Sequence, residues 1–150
     1  MNGLPFLILL AGIVFGVGRA SALEFQVERT ADGQAYIVIA GEFLPSDDVS
    51  RLAPLVEATG ARDVVCNSGG GTIYKAMELG RLIRRLELGT IALRQMECVS
   101  ACALTFLGGT TRYAEPGSIG VHRTWFHPAA NVSAEDARSG NDRSHDVLRC

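Results

Sequence analysis

The chain has 150 residues and a formal net charge of −2, and 47% of its residues are hydrophobic while 20% are charged. This length fits one domain with a short extension, and the composition is that of a folded protein rather than a disordered one. The near-neutral charge balance excludes the basic footprint of a nucleic-acid-binding protein. We therefore expect one folded domain without a nucleic-acid partner.

Apolar residues are concentrated at the N-terminus, where residues 4–17 are Leu, Ile, Val, Phe, Ala and Gly apart from Pro5. The run is shorter than the about 20 residues that span a membrane. It precedes Ala-Ser-Ala at residues 20–22, a small-x-small pattern of the kind that signal peptidase cleaves. We predict a signal peptide over residues 1–22 and an exported protein, periplasmic or secreted. The alternative is an uncleaved N-terminal membrane anchor.

The first part of the mature chain predicts a hairpin and a helix. Residues 24–40 hold two strand-like segments around Asp32-Gly33, which is a turn signal. Residues 46–48 (Ser-Asp-Asp) offer an N-cap for a helix that ends at Gly60. Pro54 predicts a kink in this helix or a later start.

Strands and helices then alternate. Buried strands are expected at residues 62–66 and 90–93, and short strands at 110–113 and 118–122, on either side of a turn at Pro116-Gly117. A helix that opens at Thr72 has a predicted inner face of Ile73, Met77, Gly80, Ile83 and Leu86. An apolar helix ends at Leu107.

This order predicts an α/β domain with a mostly parallel sheet over residues 23–127. Residues 128–150 form a polar C-terminal segment, and we interpret this segment as the possible start of a truncated helix.

Three successive glycines lie between a predicted strand and a predicted helix, in the segment Asn-Ser-Gly-Gly-Gly at residues 67–71, here named the glycine loop. Glycine permits positive φ and lets a ligand approach the backbone amides, and free amides at a helix start favour an anion. The segment is neither a Walker loop nor Gly-x-Gly-x-x-Gly, so it specifies no nucleotide. Read alone, it is more typical of a tight turn than of a binding site.

Ser100 lies where the next strand gives way to a helix, among small residues. A serine in this position either caps the helix or serves as a nucleophile whose neighbouring amides stabilise an oxyanion. A nucleophilic serine needs a base, and His122, at the end of a predicted strand, is better placed than His127 or His145. The histidines are scattered and no Cys-x-x-Cys is present, so we predict no metal and no cofactor.

Four cysteines follow the predicted cleavage site, at positions 66, 98, 102 and 150, and three pairings of all four are open. Cys98 and Cys102 are four residues apart around Ser100, and a helix there would bring them close enough for a disulfide. The alternative is that they are two small buried side chains that pack a tight junction. Cys150, the last residue, could also pair between chains.

Together these segments resemble the Clp protease/crotonase superfamily, and more narrowly its exported Clp-protease-like branch. The resemblance rests on residues 41–42 (Gly-Glu), the glycine loop, residues 98–103 (Cys-Val-Ser-Ala-Cys-Ala) and residues 120–123 (Gly-Val-His-Arg). It covers about residues 35–127. The family has proline where this chain has the first glycine of its loop. The resemblance implies a fold of repeated ββα-type units.

By the same resemblance, Ser100 would be the nucleophile and His122 the general base. The amides of Gly70 and Ala101 would form the oxyanion hole, and Gly71 would shape the loop. The implied reaction is hydrolysis of a peptide bound as an added strand, through an acyl-enzyme, without ATP or a metal.

The family's third catalytic residue is an Asp well after the histidine, and none of Asp136, Asp142 and Asp146 corresponds to it. The chain is therefore truncated, uses a Ser–His dyad, or is inactive. An incomplete sheet would also favour a homo-oligomer.

Three functions are compatible with these motifs. The leading one is an exported serine peptidase that acts on a peptide or protein. The second is a catalytically inactive module of the same fold that binds peptides or proteins. The third is an acyl-CoA-processing relative, which export from the cytosol disfavours. A Ser–Lys pair with Lys75, the chain's one lysine, is a further alternative for the base.

Overall fold

A computed structural model describes residues 21–122 of the chain. Most of the predicted signal peptide and the whole of residues 128–150 lie outside this range. The described chain is a mixed α/β domain with a mostly parallel sheet, which confirms the predicted fold class. Its strands are β1 (Glu24–Arg29), β2 (Ala35–Ala40), β3 (Asp63–Asn67), β4 (Gly89–Ala92), β5 (Cys98–Val99), β6 (Arg112–Ala114) and β7 (Ile119–Gly120), and its helices are α1 (Leu52–Thr59), α2 (Ile73–Arg85) and α3 (Ala101–Phe106).

The main sheet has five strands in the order β1-β2-β3-β4-β6. β1 and β2 form the predicted antiparallel hairpin, and the other neighbours are parallel. A helix lies in each connection between parallel neighbours because parallel strands need a crossover. The carboxyl ends of β2, β3 and β4 consequently share one edge of the sheet.

A second sheet of two parallel strands, β5 and β7, lies at that edge. It is joined to the end of β3 by a bridge between Ser68 and Cys98. The sequence predicts short strands on either side of Pro116-Gly117 and does not assign their partners. In the structure these strands join different sheets, because β6 pairs with β4 and β7 pairs with β5. The second sheet brings the end of β7 to the end of β5.

The helix after the hairpin begins later than its first capping residues, as Pro54 predicts. Asp48 caps a 3-10 turn over Val49–Arg51 by accepting the Ser50 amide at 3.0 Å, and the hydrogen bonds from Ser50 lower the pKa of this carboxyl. α1 then starts at Leu52, so Pro54 falls in its first turn, where the missing N–H of proline costs no intrahelical hydrogen bond.

The buried face of α2 differs from the prediction. Gly80 and Ile83 are buried as expected, but Ala76 and Leu79 complete the face, while Ile73, Met77 and Leu86 are only half-buried. The reason is the position of α3, whose buried Thr105 hydroxyl donates to the Ala76 carbonyl at 3.0 Å. The contact with α3 therefore centres the buried face of α2 on Ala76, Leu79, Gly80 and Ile83.

The start of the described chain packs against the segment after β2. The Ser21 carbonyl accepts the Glu42 amide at 2.8 Å, and Ala22 forms a bridge with Glu42. Cleavage after Ala22 would remove these contacts. Over residues 21–122, no helix has the length and apolar character needed to cross a membrane.

Candidate active site

The glycine loop connects β3 to α2 with two residues at positive φ, Gly70 at +110° and Gly71 at +122°. Gly71 bridges Phe43, and a Cβ on Gly71 would lie 2.5 Å from the Phe43 carbonyl oxygen. Both the backbone conformation and the close approach of the neighbouring chain therefore demand glycine here.

Ser100 connects β5 to α3 in a conformation that is unusual for a side-chain-bearing residue, with φ 59° and ψ −121°. These angles are those of a turn position dominated by glycine. The Ser100 amide donates to the Gly120 carbonyl at 2.8 Å, and the Ser100 carbonyl accepts the Ala103 amide at 3.1 Å. The side chain makes no capping hydrogen bond to α3, so the capping interpretation of Ser100 is wrong. We name residues 98–102 the serine elbow.

The glycine loop and the serine elbow are in direct contact. A Cβ built on Gly70 would lie 2.8 Å from Ser100 Cβ and 3.2 Å from the Ala101 nitrogen. The Ala101 amide belongs to the first turn of α3, where amides have no acceptor within their own helix. The structure thus brings Gly70 into contact with Ser100 and Ala101, which lie 30 and 31 residues later in the chain.

The Gly70 amide already has a partner in the structure. It donates to the hydroxyl of Ser68 at 3.1 Å, and Ser68 is 2% exposed. The Gly71 amide is not used by the bridge to Phe43, because a parallel bridge uses the peptide groups on either side of the central residue. Sequence reasoning missed Ser68, although a small hydroxyl residue two positions before Gly70 is suited to this contact.

His122 is placed near the serine elbow by strand pairing. Val99 pairs with Gly120 between β5 and β7, and the next amide, that of Ser100, donates to the Gly120 carbonyl. His122 follows two residues after Gly120, and its side chain is exposed. The competing histidines and the three aspartates considered for the third catalytic role lie outside the described residues. Lys75 forms an ion pair with Glu78 at 3.0 Å on α2.

A groove of about 430 Å³ runs along the glycine loop. Ser100 and His122 do not line it, and its lining residues are Ser21, Gly41, Glu42, Asn67, Ser68, Gly69, Gly70, Gly71 and Glu97. Glu42 and Glu97 supply two carboxylates, and this set includes no cationic side chain. Asn67 positions the backbone of Glu97 at the side of the groove, since the Asn67 Oδ1 accepts a hydrogen bond from the Glu97 amide at 3.2 Å.

Three buried cysteines lie together at the elbow, two of them as its end residues. Cys98 and Cys102 form a disulfide with a Cα–Cα distance of 5.2 Å, and Cys66 is a thiol whose pKa is raised to about 12 by burial. Within residues 21–122 these three sulfurs are the one set that could hold a metal ion, and they lie within 4.8 Å of one another. With two of them joined, a single thiol remains, so the oxidised cluster is not a metal site.

No protein-family model and no curated protein matches this chain. Among solved structures, the chain is similar to a mutant of the membrane-bound stomatin-specific protease 1510-N, with 20% sequence identity and a TM-score of 0.48. The similarity covers 64% of this chain and 50% of that protein, so the chain matches about half the length of that protein.

Proposed function

We propose that this chain is an exported serine hydrolase of the Clp protease/crotonase type, built on repeated ββα-type units, and that it cleaves peptides. The observation that carries the proposal is the contact between the two strand-to-helix junctions. At this contact Ser100, which has a positive φ, lies against Gly70 and beside the first amides of α3. Strain of this kind clusters at functional sites, and it positions a nucleophile at a helix start.

Each group at this contact has a role in the proposed mechanism. The Ser100 hydroxyl attacks the peptide carbonyl, and His122 takes its proton and later returns it to the leaving amine. The Ala101 amide and one glycine-loop amide donate to the oxyanion. Since the Gly70 amide is engaged by Ser68, either it exchanges partners when substrate binds or the Gly71 amide takes its place.

The substrate would lie along the glycine loop as an extended peptide. Phe43 already pairs with Gly71 as a strand would, so the loop offers backbone groups of strand type next to the 430 Å³ groove. The Cys98–Cys102 disulfide supports an exported protein, because disulfides persist in oxidising compartments.

The second candidate is a module of the same fold that binds peptides without cleaving them. One observation favours it: the groove is lined by the glycine loop and by Glu42 and Glu97, but by neither Ser100 nor His122. A protein that uses only this groove would retain peptide affinity when Ser100 is replaced.

The test is labelling of the full chain, with its disulfide intact, by a fluorophosphonate probe that reacts with activated serines. Wild type is expected to label, and Ser100→Ala and His122→Ala are expected to abolish the signal. Ser118→Ala is the matched control. Ser118 is also a buried serine, it directly precedes β7, and its hydroxyl has no hydrogen-bond partner within residues 21–122. A folded wild type that does not label contradicts the hydrolase, and peptide binding that survives Ser100→Ala supports the binding module.

A further inference from the structure

A free thiol lies next to a disulfide inside this domain. Cys66 is in β3, Cys98 in β5 and Cys102 in the first turn of α3, and all three side chains are fully buried. Their sulfurs lie within 4.8 Å of one another, and two of them are bonded. The distance between the Cys66 sulfur and the disulfide is therefore short enough for small side-chain movements to bring them into contact.

The disulfide encloses the candidate nucleophile. Its two cysteines stand two residues before and two residues after Ser100, so the serine elbow is a closed ring. Ser100 holds its positive φ within this ring, and outside the ring it is fixed by the hydrogen bond from its amide to Gly120. A residue in such a conformation keeps it only while its surroundings enforce it.

We propose that the three sulfurs form a thiol–disulfide exchange site through which the disulfide can leave the serine elbow. In the exchange, the Cys66 thiolate attacks one sulfur of the Cys98–Cys102 bond and forms a new disulfide with it. The old bond breaks, its electron pair leaves on the other cysteine, and that cysteine takes up the proton that Cys66 has lost. One disulfide and one thiol are present before and after, so no oxidant or reductant is consumed.

The fold keeps this exchange slow at rest. Only the thiolate attacks a disulfide, and the buried Cys66 is held as a thiol. The three sulfurs are also shielded from solvent and from soluble thiols. Exchange therefore follows a local opening at the contact between β3, β5 and α3.

Either product opens the ring around Ser100. A Cys66–Cys98 bond ties β3 to β5 and frees the start of α3, whereas a Cys66–Cys102 bond ties β3 to α3 and frees β5. In both products Ser100 loses one of the constraints on its positive φ. A lower reactivity of Ser100 then follows, and this consequence alone rests on the proposed function.

The exchange is tested in the full chain with Cys150→Ser, which removes the cysteine outside the described residues. The oxidised protein is held in urea below its unfolding midpoint, quenched with acid, alkylated and digested, and its disulfides are mapped by mass spectrometry. Peptides that join Cys66 to Cys98 or Cys102 are expected to accumulate with time. Cys66→Ser in the same background is the control, in which the original disulfide is expected to persist. A parallel incubation contains the alkylating agent throughout, so that Cys66 is modified there only if the site opens. Alkylation of Cys66 in that incubation, without any migrated disulfide in the samples quenched with acid, overturns the proposal.

Control of Ser100 is measured in two ways on parallel aliquots, which are returned to buffer without urea instead of being digested. The fluorophosphonate labelling rate is expected to fall in proportion to the migrated fraction, and to stay constant in Cys66→Ser. Hydrogen exchange at the Ser100 amide is expected to accelerate in that proportion, whether or not the protein is a hydrolase. If protein with the migrated disulfide has the same labelling rate and the same hydrogen exchange at the Ser100 amide as the original, the proposed effect on the serine elbow is wrong. If the starting protein does not label while amide exchange accelerates, the hydrolase has failed and the exchange site stands.

Discussion

The two strand-to-helix junctions reach positive φ in different ways. The glycine loop uses Gly70 and Gly71, which adopt such angles without steric cost, and their lack of a Cβ admits the neighbouring chain. The serine elbow places Ser100 at φ 59°, which costs about 1–3 kcal/mol for a residue with a side chain. A hydrogen bond to Gly120 and a disulfide around the residue hold it there. The first junction is shaped by what its residues lack, and the second by what surrounds it.

Gly70→Ala would break the contact between the two junctions and has the largest expected effect. Alanine at this position would carry a side chain at positive φ, and its Cβ would lie 2.8 Å from Ser100 Cβ. The variant is therefore expected to lose about 3 kcal/mol of unfolding free energy and all probe labelling. Gly117→Ala is the control, because Gly117 has φ +81° but open space around an added Cβ. It should lose about 1 kcal/mol and keep its labelling. Urea denaturation measures both, and equal losses would contradict the contact argument.

The pH dependence of stability tests whether solvent is excluded from Cys66, which lies in β3 near both junctions. The pKa of Cys66 is about 12 in the folded protein and 9.0 as the reference value for the unfolded chain. Between these values the unfolded state binds fewer protons at this thiol than the folded state, so the contribution of Cys66 to stability is constant below pH 9 and falls above it. The slope approaches about 1.4 kcal/mol per pH unit.

The check is urea denaturation from pH 8 to about 10.5, compared between wild type and Cys66→Ala, with the disulfide verified by mass after each measurement. Cys66→Ala is less stable throughout because it leaves a cavity, but it should lack the additional fall above pH 9. Parallel curves for the two proteins would show that solvent reaches the thiol in the folded state.

Much of this fold follows from local pattern. The alternation in residues 24–40 and the turn at Gly33 suffice for the hairpin, and Pro54 marks the late start of α1. The buried face of α2 was misjudged because it is set by α3, a contact that periodicity within one helix does not contain. The partners of β6 and β7 could not be predicted for the same reason, since strand partners distant in sequence leave no local signal.

For the site, the residue pattern indicated two separate junctions, and the family resemblance implied that Gly70, Ser100 and Ala101 act together. The structure places these three residues in contact. The residue pattern did not indicate that the Gly70 amide has a partner in Ser68, because a hydroxyl in a loop has many local acceptors and donors in reach. Nor did it indicate that Cys66 lies beneath the elbow, since that depends on how β5 attaches to the end of β3.

Replacing Ser100 with two different small residues separates strain from chemistry at the elbow. Ser100→Ala keeps a Cβ at positive φ, whereas Ser100→Gly removes it, and both remove the nucleophile. The glycine variant should be more stable than the alanine variant by about 1 kcal/mol, despite the greater entropy of glycine in the unfolded chain. Urea denaturation of the two oxidised variants gives this difference. Equal stability, or a more stable alanine variant, would mean that the elbow imposes no strain.

Ser68→Ala has the smallest expected effect on stability and bears on the state of the glycine loop. The Ser68 hydroxyl accepts the Gly70 amide, and its removal should cost about 0.5–1 kcal/mol. Ser118→Ala is the matched control, because Ser118 is similarly buried but its hydroxyl has no partner within residues 21–122, so its removal should cost almost nothing.

The labelling rate of Ser68→Ala distinguishes the two sources of the second oxyanion donor. If the Gly70 amide must leave Ser68 to stabilise the oxyanion, its release in Ser68→Ala should make labelling faster than in wild type, although the protein is less stable. A structural defect alone would lower both the labelling rate and the stability. Unchanged labelling would assign the donor to Gly71, whose amide is outside the bridge to Phe43. Slower labelling would mean that the bond between Ser68 and Gly70 is part of the reactive geometry, and the glycine loop would then depend on its surroundings as much as the serine elbow does.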